Sequence, residues 1–299
     1  MNKKINIAFL FALAKNELWS TPLSIVNEAK RRGIEFRVYS LYDEYNRYTD
    51  RGLLKLIEDV EDGYNPDILL HMDYGAFNHP LLDKKFFKNI FTVLEAGDDP
   101  QCFYNNFPKA PKFDLILTPD LPSVESYKKH GLNAIYWTHF ADVIAGTESS
   151  YIIPNYDLVC TRGDGTTPFL DQIKFKLGNR FNNFRDFNIY QRDILSSGKI
   201  VIQKSTHGEV TRRIFEGMMC KRMVITDRLS EERGLHLLFE ENKDIVFYDS
   251  LDEAIEKINY YSTHEEERLK IALSGHLKTA SSHTTVQRLD TILEHFLKR

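Results

Sequence analysis

The chain has 299 residues, of which 42% are hydrophobic and 27% charged, and its formal net charge is −4. That length accommodates two domains of roughly 150 residues each, and the composition is that of an ordinary globular protein. The acidic balance excludes a global basic field for nucleic acid, though a local basic groove stays open.

No apolar run reaches the roughly 20 residues needed to span a bilayer. The three cysteines, Cys102, Cys160 and Cys220, are far apart and form no CxxC or Cys/His zinc spacing, so all three read as reduced thiols of a cytoplasmic protein, at most peripheral to a membrane. The opening has a basic start and an apolar run, but Lys15 and Glu17 follow it without a small-residue cleavage pattern. It therefore reads as a buried first strand over 5–13 rather than a signal peptide.

Strands and helices then alternate. A helix over 21–32 ends at Gly33, a strand follows over 35–40, and a helix over 53–60. Apolar runs over 67–71, 89–95 and 114–118 read as further strands. A helix over 123–130 stops at Gly131, and a strand covers 134–137. Short continuous apolar strands in β-α-β rhythm indicate a parallel sheet covered on both faces. The rhythm pauses in the loop-like stretch 139–156 and restarts with a strand over 157–161, a helix over 168–177 and a strand over 199–203. After these come a helix over 212–220 and strands over 223–226 and 244–248. Helices over 251–261 (capped by Ser250 or Asp252), 265–278 and 284–297 close the chain. The expected architecture is α/β, with two doubly wound Rossmann-like domains facing a cleft. The first spans residues 1–145 and the second 146–283, and a terminal helix over 284–299 packs back toward the first. Ligands in such sheets bind beyond the carboxyl ends of the strands.

The stretch from Thr206 to Asp227 carries the most chemistry. Arg212 and Arg213 open a helix, with Thr211 just before it, and Glu216 lies one turn further in. A helix N-terminus offers free N–H groups and a positive dipole end to a phosphate. A carboxylate one turn inside is placed to accept hydrogen bonds from ribose hydroxyls. Together they suit a nucleotide diphosphate. The bland alternative is an i,i+3 or i,i+4 surface pair between Glu216 and an arginine.

The same segment resembles the GT-B glycosyltransferases, in particular the group related to spore-maturation protein CgeB. The resemblance runs from about Lys199 to the end. It rests on Arg213-Ile214-Phe215-Glu216, Ile225-Thr226-Asp227, Asp244-Ile245-Val246-Phe247-Tyr248, Asp252-Glu253, Tyr260-Tyr261 with His264, Glu267-Arg268, and His283-Thr284-Thr285 with Arg288. Gly97-Asp98-Asp99-Pro100 and Phe113-Asp114-Leu115-Ile116-Leu117-Thr118 add a weaker match in the first half. Two departures stand out. The family's Cys-Gly pair is here Cys220-Lys221. Many retaining members carry a glutamate eight positions before Glu216, where this chain has Gly208, unless Glu209 replaces it with a one-residue shift.

The resemblance implies a glycosyltransferase that moves a sugar from a nucleotide diphosphate sugar to a hydroxyl acceptor, with no metal or other cofactor. The acceptor class stays open: glycan, lipid, protein, small molecule or modified DNA. The rival reading is a degenerate, non-catalytic nucleotide- or glycan-binding protein of the same fold. Donor-side candidates are Glu216, Arg213, Arg212, Thr211, Lys204, Gly208, Arg162 and Gly163. Candidates for the base that takes the acceptor proton are Asp98, Asp99 and Asp73, with His71 beside them. Asn16 and Trp19 are candidates for the acceptor site, since aromatic rings stack on sugars. His264, His283 and Arg288 are expected to hold the final crossover rather than to perform chemistry.

Overall fold

In the computed structural model, the residues described are 4–13, 20–73, 75–143, 152–161, 168–183 and 191–299. The chain divides into two compact units, Met1–Thr138 with Arg288–Arg299, and His139–Gln287. The second unit thus begins at His139 rather than at 146, because Ala141 is held in it: its N–H donates to the His283 carbonyl and its own carbonyl accepts from Thr285 N–H.

The first unit contains strands β1 (Asn6–Phe11), β2 (Glu35–Ser40), β3 (Ile68–Met72), β4 (Phe91–Glu95), β5 (Leu115–Thr118) and β6 (Ala134–Tyr136). Interleaved with them are helices α1 (Thr21–Arg31), α2 (Arg51–Glu61), α3 (Phe103–Asn106) and α4 (Leu121–Lys129). Its sheet is wholly parallel, in the order β2-β1-β3-β4-β5-β6. The continuous apolar runs follow from that topology: β3 and β4 are buried at every position, as strands covered on both faces must be. Helix starts are chemically marked. Ser20 Oγ accepts from Leu23 N–H and Asp120 Oδ2 from Ser123 N–H, and a proline follows each cap.

The second unit contains β7 (Tyr156–Cys160), β8 (Phe181–Asn183), β9 (Gly198–Gln203), β10 (Met223–Asp227) and β11 (Val246–Tyr248). Its helices are α5 (Pro168–Leu177), α6 (Gln191–Ser196), α7 (Arg212–Met219), α8 (Leu235–Leu238), α9 (Leu251–Thr263) and α10 (Glu265–Ser282). The sheet order is β11-β10-β9-β7-β8, again parallel. Ile200, Ile202, Met223 and Ile225 pack on one sheet face, and Val201, Val224, Ile214 and Phe215 on the other. Alternate residues of each strand therefore feed opposite layers.

A last helix, α11 (Thr285–Leu297), leaves the second unit and contributes Arg288–Arg299 to the first. There Arg32 Nη1 lies 2.6 Å from Asp290 Oδ1, Trp137 Nε1 donates to the Arg288 carbonyl, and Phe296 packs on Phe91. Both sheets reverse their winding between their first and third strands, β1/β3 in one unit and β7/β9 in the other. In an open α/β sheet this switch point is where a ligand crevice forms. Among the described residues, no helix is long and apolar enough to cross a membrane.

Candidate functional site

The second unit's switch point gathers most of the predicted donor-side residues. β9 ends at Gln203 and runs through Lys204 and Ser205 into the loop before α7. Gly208 in that loop has φ +73°, a left-handed conformation natural to glycine. A glutamate at 208 would carry a backbone strain that glycine avoids. Glu209, the next residue, is turned into its own loop. Its Oε2 accepts from Ser205 Oγ at 2.9 Å and from His207 N–H at 2.6 Å, so the carboxylate is used to close its own loop. Burial pushes its pKa up, but those donors outweigh burial and leave it below the ordinary range.

Thr211 stands at the N-cap of α7 without making a capping bond. Its buried hydroxyl has no hydrogen-bond partner among the described residues. The first-turn amides of α7 are therefore not covered by the side chain that usually covers them, as an anion-receiving N-terminus requires. Arg213 Nε donates to Gln203 Oε1 at 3.0 Å, which aims the guanidinium at the end of β9. Arg212 takes the other direction and pairs through Nε with Glu216 Oε1 at 2.9 Å.

Glu216 is only 4% exposed. Its second oxygen, Oε2, accepts from the side-chain amide of Gln191. Burial pushes its pKa above the ordinary carboxylate range, against the pull of Arg212 and Arg213. The i,i+4 pair with Arg212 is present, but it is buried rather than a solvated surface pair. Lys204 Nζ lies 2.8 Å from Asp227 Oδ2, at the end of β10, and Ser205 N–H donates to the other Asp227 oxygen. The lysine is part of a loop clamp, and reaching a phosphate would require it to leave Asp227. Arg162, Gly163, Asn16 and Trp19 lie outside the described residues.

In the first unit the three predicted carboxylates have different fates. Asp73, after β3, is fully buried, with Lys109 Nζ at 2.6 and 2.7 Å from its two oxygens and with Gly75 and Phe77 N–H groups donating to it. Burial raises its pKa, but His71 and Lys109 outweigh that and hold it well below the usual range. Asp73 is thus a structural anion, not a base open to an acceptor. His71 is equally buried, with Nδ1 3.1 Å from the Leu10 carbonyl and its ring stacked on Phe113. Asp99 is 3% exposed and accepts from Asn106, Thr118 and Tyr127 at 2.9, 3.0 and 3.0 Å. Burial pushes its pKa up to about 6 despite those three donors. The pKa suits a base, but the burial does not. Only Asp98 of the three is partly exposed.

Two residues at these sites carry no motif. Glu95 ends β4, 3% exposed, with Oε2 lacking a hydrogen-bond partner among the described residues. Burial, and then the neighbouring Asp98, Asp73 and Asp99, push its pKa well above the ordinary range. A Cβ on Gly97 would sit 2.1 Å from Glu95 Oε1, so a side chain there would displace the Glu95 carboxylate. An acidic residue closing an otherwise apolar parallel strand is the signal that would have found it. Gln191 has no such signal, since a glutamine ahead of a short polar helix looks like any surface residue.

Residues 175–294 match a family model described as glycosyl transferase-like. No curated protein sequence matches the chain. Among solved structures, HepE from Anabaena in complex with UDP-glucose is similar at 14% identity and a TM-score of 0.66, covering 99% of this chain and 100% of that one. A glycosyltransferase from Rickettsia africae is 13% identical with a TM-score of 0.62, covering 99% and 98% respectively. An alpha-glucosyltransferase in complex with UDP-glucose and DNA containing an abasic site is 11% identical with a TM-score of 0.66, covering 98% and 99%. The architecture is thus that of the GT-B glycosyltransferases: two parallel-sheet α/β units of six and five strands. Within it, the glycosyl transferase-like segment begins in α5, ends in α11 and contains Gln191, the α7 N-terminus and Glu216.

Proposed function

We propose that the protein transfers a sugar from a nucleotide diphosphate sugar to a hydroxyl acceptor, as a GT-B glycosyltransferase of the CgeB-related group. One observation carries the reading: a buried glutamate one turn inside an uncapped helix N-terminus, flanked by two arginines, at the switch point of the glycosyl transferase-like unit. In this reading Glu216 accepts the ribose hydroxyls. The α7 amides and Arg213 take the diphosphate and offset its growing charge as it leaves, an electrostatic role that needs no metal. UDP-sugars are the first donors to test, because HepE and the alpha-glucosyltransferase were solved with UDP-glucose. On the acceptor side, Asp98 is the carboxylate assigned to the hydroxyl proton, since it is the partly exposed one of the three while Asp73 and Asp99 are buried.

A thermal-shift panel of UDP, GDP, dTDP, ADP and CMP, run with wild type and Glu216→Ala, tests the donor side. A ligand that binds only the folded state raises the melting temperature by mass action. One nucleotide should shift the wild type and lose its effect in the variant, with or without a chelator. Transfer from the matching sugar nucleotide should then be abolished by Asp98→Asn while the nucleotide shift remains. Absence of any shift in the wild type sinks the reading.

The alternative is a nucleotide-binding protein of this fold that no longer transfers. It is favoured by one observation, the absence of a donor-sugar glutamate at Gly208 together with the commitment of Glu209 to its own loop. A nucleotide shift with no transfer to any acceptor and no sugar-nucleotide hydrolysis would select it.

A further inference from the structure

Gln191 opens α6 and belongs to none of the motifs above. Its Nε2 donates to Glu216 Oε2 and lies 3.4 Å from Thr161 Oγ1. One side chain therefore links the end of β7, the start of α6 and the interior of α7. Arg212 meets the other Glu216 oxygen. An ionised carboxylate has about four lone-pair positions, so one partner on each oxygen leaves both able to accept a further hydroxyl.

We propose that Gln191 is a positioning residue for the nucleotide ribose, fixing the Glu216 carboxylate so that its remaining lone pairs accept the two ribose hydroxyls. This rests on the nucleotide-binding reading above. The amide has a second effect, on charge. Burial and Asp142, in the segment before β7, favour the protonated form of Glu216, while Arg212 and Arg213 favour the anion. Several charged or titratable groups on elements packed against α7 are engaged elsewhere, among them Asp227 with Lys204 and Arg268 with Glu265. Arg222 reaches the Ser196 carbonyl, Arg192 pairs with Asp193, His276 meets the Met218 carbonyl and His283 packs on Phe215. The Gln191 N–H adds a donor to the anionic side of that balance without adding a charge. A protonated Glu216 would lose acceptor capacity at one oxygen and hold the ribose less well.

The test is calorimetric affinity for UDP between about pH 5.5 and 8.5, with wild type, Gln191→Leu and Gln191→Glu, beside a carbon-13 carboxyl titration of Glu216 identified with Glu216→Gln. In Gln191→Leu the Glu216 midpoint should rise by about one unit, and UDP affinity should fall about ten-fold at the acid end and less at the alkaline end. Gln191→Glu keeps the shape and guards against a folding defect in the leucine variant. There a shared proton stands in for the amide at low pH, so affinity should persist in acid and fall as pH rises, when two carboxylates repel. Opposite pH slopes in the two variants are not expected of a residue that only fills space. Slopes parallel to wild type, or an equal loss at every pH, would overturn the inference. If wild type binds none of the nucleotides the proposed function fails, and the carboxyl titration still decides: an unmoved Glu216 midpoint in Gln191→Leu overturns the assignment to Gln191.

Discussion

The guanidinium of Arg288 donates through Nε to the Thr138 carbonyl at 2.8 Å, joining the last residue of the first unit's main segment to the first residue of its returning segment. Arg288 is 8% exposed, also donates to Thr138 Oγ1, and gives its own carbonyl to Trp137 Nε1. It therefore serves as the fastening of α11 to the first unit, the holding role that its sequence position suggested. Arg288→Ala removes the two hydrogen bonds that its guanidinium gives buried Thr138, a loss of about 1–3 kcal/mol before the lost packing of the side chain is counted. Urea denaturation should show a lowered midpoint of that size. Arg288→Lys should recover only part of it, since an ammonium cannot reproduce the planar fork.

Lys109 and Asp73 make the second prediction. Both side chains are fully buried, and each Asp73 oxygen also takes a backbone N–H. Removing the cation alone strands a buried carboxylate, so Lys109→Met should destabilise by about 3–5 kcal/mol. The double variant Lys109→Met, Asp73→Asn removes both charges and should be more stable than Lys109→Met by denaturant melt. If the two variants are equally unstable, the pair is not what holds the loop after β3.

Much of the architecture was legible because parallel strands in a doubly covered sheet are written as apolar runs. β2 and α5 have their expected bounds, and most other predicted elements differ from the observed ones by a few residues at an end. β8, α3, α6 and α8 escaped. β8 has three residues of which only Phe181 is buried, and the three helices have four or six residues, too few to display a period. The cluster of Glu216 and its arginines was legible in the sequence, because it combines a helix start with a charge pattern. The differences among the three candidate bases of the first unit were not. Asp73, Asp98 and Asp99 look alike in the sequence, and only the partners brought by Lys109, Asn106, Thr118 and Tyr127 separate them. Those partners lie 7 to 36 positions away along the chain.

Asp99 supplies a pH prediction. Its folded pKa is raised to about 6 from an ordinary 3.8, so between those values the folded state holds more protons than the unfolded one. Stability from this group is complete below the unfolded pKa and is lost as pH rises through the folded one, up to about 3 kcal/mol for a shift of about two units. Asp99→Asn cannot titrate. Its stability relative to wild type should improve between about pH 4 and 7.5 by at most that amount, whatever constant cost the swapped amide brings. Denaturation midpoints of both proteins at several pH values check it, and a pH-independent difference would contradict the assignment.

Lys221 closes α7 with φ +54°, at the position where the resembling family carries glycine. The left-handed region costs a side chain with a Cβ roughly 1–2 kcal/mol, and glycine almost nothing. The backbone must make this turn, because Lys221 N–H donates to the Met218 carbonyl and Arg222 N–H to the Gly217 carbonyl, the pattern that ends a helix before the next strand. Cys220-Lys221 therefore makes this helix-ending turn with a strained residue. The extra freedom of glycine in the unfolded chain offsets part of the gain. Lys221→Gly should still stabilise the protein, by about 1 kcal/mol or somewhat less. Affinity for the nucleotide should be unchanged, since the turn lies at the end of α7 opposite Arg212 and Arg213. A denaturation midpoint below wild type would mean that Lys221 makes a contact worth more than its strain.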